Sequence, residues 1–73
     1  MNIFINGESF TIDASENEAP VINKALTQFL TADQQDRTYA VALNSEFVGR
    51  DEYATTPIKA GDSIDVLFPI QGG

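Results

Sequence analysis

The dipeptide Asn6-Gly7 separates two short runs, Met1–Ile5 and Ser9–Ile12, that are apolar or alternate between apolar and polar residues. Both residues tolerate the positive φ of a two-residue type I′ turn, so the first dozen residues are committed to a β-hairpin. The two-residue period of a strand then places Ile3 and Ile5 on one face, with Phe4 on the other. In the second strand Phe10 and Ile12 share a face.

Beyond a polar stretch from Asp13, the residues Val21, Ile22, Ala25, Leu26, Phe29 and Leu30 recur at helical spacing. This predicts a helix from about Ala19 to Thr31, with Pro20 in the first turn, where a missing N–H costs nothing. Glu16 and Glu18 then lie near the positive end of the helix dipole. Ser15 and Glu18 have capping-box spacing, but a helix starting there would carry Pro20 too deep, so that start is set aside. Thr31–Thr38 reads as a polar loop, and Tyr39–Leu43 as a strand with Tyr39, Val41 and Leu43 on one face and Ala40 and Ala42 on the other. Asn44-Ser45 turns the chain into a short strand, Glu46–Val48. Gly49 breaks that strand, and Arg50–Ala54 is expected to be irregular or a single helical turn. Thr56-Pro57-Ile58 is extended because a residue before proline is driven out of the α region. After a turn at Gly61, Ser63–Phe68 forms the last strand, in which Ile64, Val66 and Phe68 alternate with Asp65 and Leu67.

Hairpin, crossing helix and a final strand returning beside the first imply two layers that bury their apolar faces against each other. The expected fold is α+β: a β-grasp, or ubiquitin-like, mixed sheet with one main helix packed across one face. Residues 1–73 read as one domain with no repeat or linker.

What the chain lacks narrows its chemistry. It has no Cys and no His, which removes thiol nucleophiles, Cys-ligated metals and the commonest general base. Its eleven acidic residues follow no metal-ligand spacing and form no catalytic dyad, so neither a catalytic residue nor a metal site is assigned. A domain of this size hides only about 60% of its unfolded surface, which leaves little for an enclosed active site. With a net charge of −7, the chain would be repelled by nucleic acid and by anionic membranes; partners with basic surfaces are expected instead. No secretory signal or membrane span is read, and a cytoplasmic protein, monomeric when free, is expected.

The end of the chain carries the positive signal. With glycine at an average of about 7%, a terminal Gly-Gly arises by chance in roughly one chain in two hundred. Glycines without Cβ atoms can thread a narrow channel, and the five residues Pro69, Ile70, Gln71, Gly72 and Gly73 reach about 17 Å when extended. Pro69 stiffens the base of this tail. As no side chain offers a covalent handle, the Gly73 carboxylate is the candidate. Phe4, Leu67 and Ala42 are expected on the sheet face away from the helix, forming an exposed apolar patch for docking unless a loop covers Phe4. Asp62, after Gly61, is expected to cap backbone.

Asn44 ending a strand, the short hairpin, Arg50, the aromatic Tyr53, the Gly61-Asp62 turn, the apolar last strand and Gly72-Gly73 together resemble the sulfur carrier family of thiamine biosynthesis, ThiS. Asn6-Gly7 extends the likeness over almost the whole chain. Gly49 stands where that family often has Pro, Tyr53 where Trp is usual, and Glu16–Pro20 where a shorter Gly-containing turn is usual. The resemblance implies a protein co-substrate with no cofactor bound and no turnover of its own. An E1-like adenylyltransferase would use Mg-ATP to adenylate Gly73. Sulfur derived from a cysteine desulfurase would convert it to a thiocarboxylate, and thiazole synthase would accept that sulfur. Arg50 aligns with the family's Arg and is a candidate for contact with a partner or the tail, with a surface pair to Asp51 or Glu52 as the plainer role. The small subunit of molybdopterin synthase shares fold and tail. A ubiquitin-like modifier and a plain β-grasp interaction module also stay open.

Overall fold

The computed structural model describes residues 1–14 and 19–69. Expectations for the helix entry at Ser15, Glu16 and Glu18, and for Ile70, Gln71, Gly72 and Gly73, lie outside the described residues.

Asn6 and Gly7 take φ values of 53° and 81° and join β1 (Asn2–Ile5) to β2 (Glu8–Thr11) as an antiparallel hairpin. The Asn6 side chain also pins this turn to the last strand, because its Oδ1 accepts the N–H of Val66 at 2.8 Å. The second hairpin joins β3 (Ala40–Leu43) to β4 (Glu46–Val48) through Asn44 and Ser45, both at positive φ. The last strand, β5 (Ser63–Leu67), lies between the hairpins, parallel to β1 and antiparallel to β3. The resulting sheet is mixed and five-stranded, in the order β2-β1-β5-β3-β4.

Helix α1 (Ile22–Phe29) crosses one face and buries Ile22, Ala25 and Leu26. Together with Leu30 they meet Ile3 and Ile5 of β1, Val41 of β3, Ile64 and Val66 of β5, and Ile12, Tyr53 and Ile58 from the connections. Each fully buried Ile contributes about 1.5–3 kcal/mol, so this cluster is the main source of stability. Phe10 and Phe29 close one side edge to face, with ring centroids 5.4 Å apart. Gln28 brackets the backbone of Asp13, its side chain both accepting from the N–H and donating to the C=O at 2.8 Å, which ties the exit of β2 to the helix.

The helix is shorter than the sequence pattern implies, and Pro20 is not in it. Val21 is the N-cap in extended conformation, and it forms an isolated bridge with Pro57 while the Pro20 carbonyl accepts from Ile58 N–H. No side chain caps this end. The N–H groups of Ile22 and Asn23 instead donate to the carbonyls of Thr56 and Tyr53, so a neighbouring loop satisfies donors that usually need a polar N-cap.

The expected polar loop at Thr31–Thr38 contains a short helix, α2 (Ala32–Gln35). Thr31 accepts from Gln34 N–H, and the Gln34 side chain accepts from Thr31 N–H, a complete capping box. Gln35 then donates back to the Leu30 carbonyl at 3.0 Å, satisfying a group left over at the end of α1. Tyr39 precedes β3, and Phe68 follows β5. Arg50–Glu52 form one 3-10 turn.

Candidate functional site

The candidate tail follows β5, the central strand of the sheet. Backbone and side-chain hydrogen bonds hold the start of this strand. Buried Asp62, 7% exposed, accepts Lys59 N–H at 2.9 Å on one oxygen and the Asn44 amide at 3.2 Å on the other. Asn44 also accepts Ser63 N–H at 2.9 Å. Gly61, at φ +88°, makes the preceding turn and donates to the Asn2 carbonyl. The expected backbone-capping role of Asp62 is therefore realised, and it extends across to the β3–β4 turn.

At the other end of β5 the alternation of the strand gives the tail root two different walls. Leu67 points to the open face of the sheet and is 50% exposed. Phe68 packs on the helix side, edge to face with Tyr39 at 5.6 Å, and Tyr39 in turn stacks on Tyr53 at 6.2 Å. The Arg37 guanidinium lies 6.0 Å from the centre of the Phe68 ring. Tyr39, Tyr53, Arg37 and Arg50 line an open cleft, which Asp36, Asn23, Gln35 and Ala54 complete. Burial pushes the Tyr53 phenol above its ordinary pKa and Tyr39 adds to this, while the Arg50 guanidinium partly offsets both. The phenol is neutral at physiological pH, so the charge of the cleft comes from the two arginines and Asp36.

On the open face Phe4 is 45% exposed, but the expected continuous patch is not formed. Phe4 pairs with Ser63, whereas Leu67 lies four residues further along β5, a separation of about 13 Å along the strand. Ala42 belongs to the same face yet is only 5% exposed. It sits in register between Phe47 and Asp65, and a methyl group flanked by two longer side chains lies beneath their surface. Phe47, absent from the expected set, is the most exposed of the large apolar residues on the open face at 75%. Strand alternation from Ala42 through the Asn44-Ser45 turn could have indicated it.

Arg50 is exposed, and among the described residues no ion pair joins it to Asp51 or Glu52. Successive residues of a tight helical turn point in different directions. The Asp51 carboxylate instead turns back over Gly49, where a β-carbon would stand 3.0 Å from Asp51 Oδ1. Pro69 is exposed at the root of the tail. Among the described residues no cluster of three or more acidic side chains is placed to hold a metal ion, and no helix is long and apolar enough to cross a membrane.

A sheet of two hairpins joined through a parallel β1–β5 pair, with one helix crossing it, defines a small ubiquitin-like β-grasp protein. The ThiS family model matches residues 3–73, nearly the full length, and the chain belongs to this family of sulfur carriers. Among solved structures it is similar to the crystal structure of the thiamine biosynthesis protein ThiS from Geobacter metallireducens, with a TM-score of 0.76, 29% identity and both chains covered in full. A solution structure of a thiamine biosynthesis protein from the same organism gives a TM-score of 0.72 at 30% identity, covering all of this chain and 88% of that one. A search of curated proteins finds no match.

Proposed function

We propose that the chain is a protein co-substrate whose Gly73 carboxylate is adenylated and then converted to a thiocarboxylate that delivers sulfur for thiazole formation in thiamine biosynthesis. The observation that carries this reading is the continuity of the family match through Gly73, on a fold whose last strand is anchored between two others. A carboxylate is a poor electrophile at neutral pH. Attack of its oxygen on the α-phosphate of Mg-ATP in an E1-like adenylyltransferase releases pyrophosphate and leaves AMP as a good leaving group. A persulfide sulfur that traces to a cysteine desulfurase then attacks the Gly73 carbonyl carbon and expels AMP. A second thiol then attacks the donor cysteine's sulfur, forming a disulfide with it and releasing the Gly73 thiocarboxylate for thiazole synthase. The catalytic groups and the ATP belong to the partners; the carrier supplies a presented terminus and a surface beside it. Phe4, Leu67 and Arg50 contribute to that surface, with Phe47 in the place expected of Ala42.

Incubating the chain with its adenylating enzyme, Mg-ATP and a sulfur source should raise its intact mass by about 16 Da, one oxygen replaced by sulfur, through attack at the activated carboxyl. Deleting Gly73 should abolish the gain. No gain with a partner shown active on another carrier overturns the reading, and conjugates of higher mass would indicate a modifier instead.

A further inference from the structure

Two of the four basic residues of this chain, Arg37 and Arg50, line one cleft, and that cleft lies against the root of the tail. They come from different connections, one after α2 and one in the turn after β4, and thirteen positions separate them in sequence. Among the described residues neither forms an ion pair, although the chain holds eleven acidic side chains. Asp36 shares the rim, but it is one carboxylate beside two guanidiniums. Tyr39, which lines the cleft, stacks on Tyr53 and packs edge to face on Phe68, and the Arg37 guanidinium lies over the Phe68 ring. Two guanidiniums lining one cleft suit carboxylate recognition, since the planar fork can pair both oxygens of a carboxylate.

We propose that this cleft receives a carboxylate-bearing segment, Asp or Glu, of the protein that takes up the tail. The inference rests on the carrier reading above. Arg37 lies 6.0 Å from the Phe68 ring, one residue before Pro69, and shares its cleft with Arg50, so a partner segment beside the start of the tail meets this basic cleft. The carrier thus shows its partners two polarities: an acidic surface over most of its area, and a basic notch beside the tail. The acidic surface favours encounter with a basic partner face, and the notch fixes the orientation in which the tail enters.

The two effects have opposite signs, which makes the test direct. Replacing both arginines in Arg37→Gln/Arg50→Gln takes the net charge from −7 to −7 − 2 = −9. General attraction to a basic face predicts tighter binding, whereas loss of two carboxylate pairs predicts binding weaker by about fivefold or more. Affinity for the adenylating enzyme and for thiazole synthase is measured by calorimetry, with thermal melting to confirm the fold and the single variant Arg50→Gln as a second reading. Weaker binding to either protein, with a shallower dependence on salt, supports the inference. Unchanged or tighter binding to both overturns it. Wild-type chain that gains sulfur while the double variant binds normally defeats only the notch; wild-type chain that gains none defeats the carrier reading itself.

Discussion

Asp62 is a charged residue buried for the sake of backbone. Its two oxygens are occupied by Lys59 N–H and the Asn44 amide, and Asn44 returns an acceptor to Ser63. An unmade hydrogen bond at a buried donor costs more than a typical bond contributes. Asp62→Ala strands the Lys59 N–H and loosens Asn44, and is expected to lower unfolding stability by about 1–3 kcal/mol in urea titrations, with Asp62→Asn costing less because one acceptor survives. The sequence announces the Gly61-Asp62 turn, but the reach of Asp62 across 18 positions to Asn44 depends on β3 and β5 lying side by side. Ala42 is the converse lesson. Strand alternation assigns its face, whereas its exposure depends on the lengths of Phe47 and Asp65 in the adjoining strands, which only the register reveals.

Among the elements, the hairpins were the most legible, because Asn6-Gly7 and Asn44-Ser45 carry their turn chemistry locally. The ends of α1 were less so. Its N-terminus takes its hydrogen bonds from Tyr53 and Thr56, some thirty residues on, and no local cap marks the start. The short helix α2 did carry a local mark, Thr31-x-x-Gln34, hidden by the polarity of the stretch around it. Thr31→Ala removes one of its two reciprocal bonds, at a cost of about 1 kcal/mol. As α2 buries no residue, the effect should stay local. Amide exchange at Gln34–Arg37 is expected to quicken about fivefold while β1 and β5 amides hold their rates, as seen by NMR. The arginine notch had no local mark at all: β5 ends beside the start of β3, which brings Phe68 to Tyr39, and Tyr39 stacks on Tyr53 beside Arg37 and Arg50.

For the molecule as a whole, charge is the dominant feature. At −7 on 73 residues, self-repulsion opposes the compact state, and screening relieves it over about 10 Å at 0.1 M salt. Melting temperature is therefore expected to rise by a few degrees between about 0.01 M and 0.5 M NaCl, read by circular dichroism. A fall across that range would show that attractive pairs outweigh the repulsion.

β5 is flanked by β1 on one edge and β3 on the other, and it ends towards the C-terminus at Leu67. A force applied there runs parallel to the strand, so the ladder bonds to β1 and β3 are loaded together in shear instead of being peeled one after another. A pull on that end meets both neighbours at once, so the fold is expected to resist tension along the strand better than tension across the sheet.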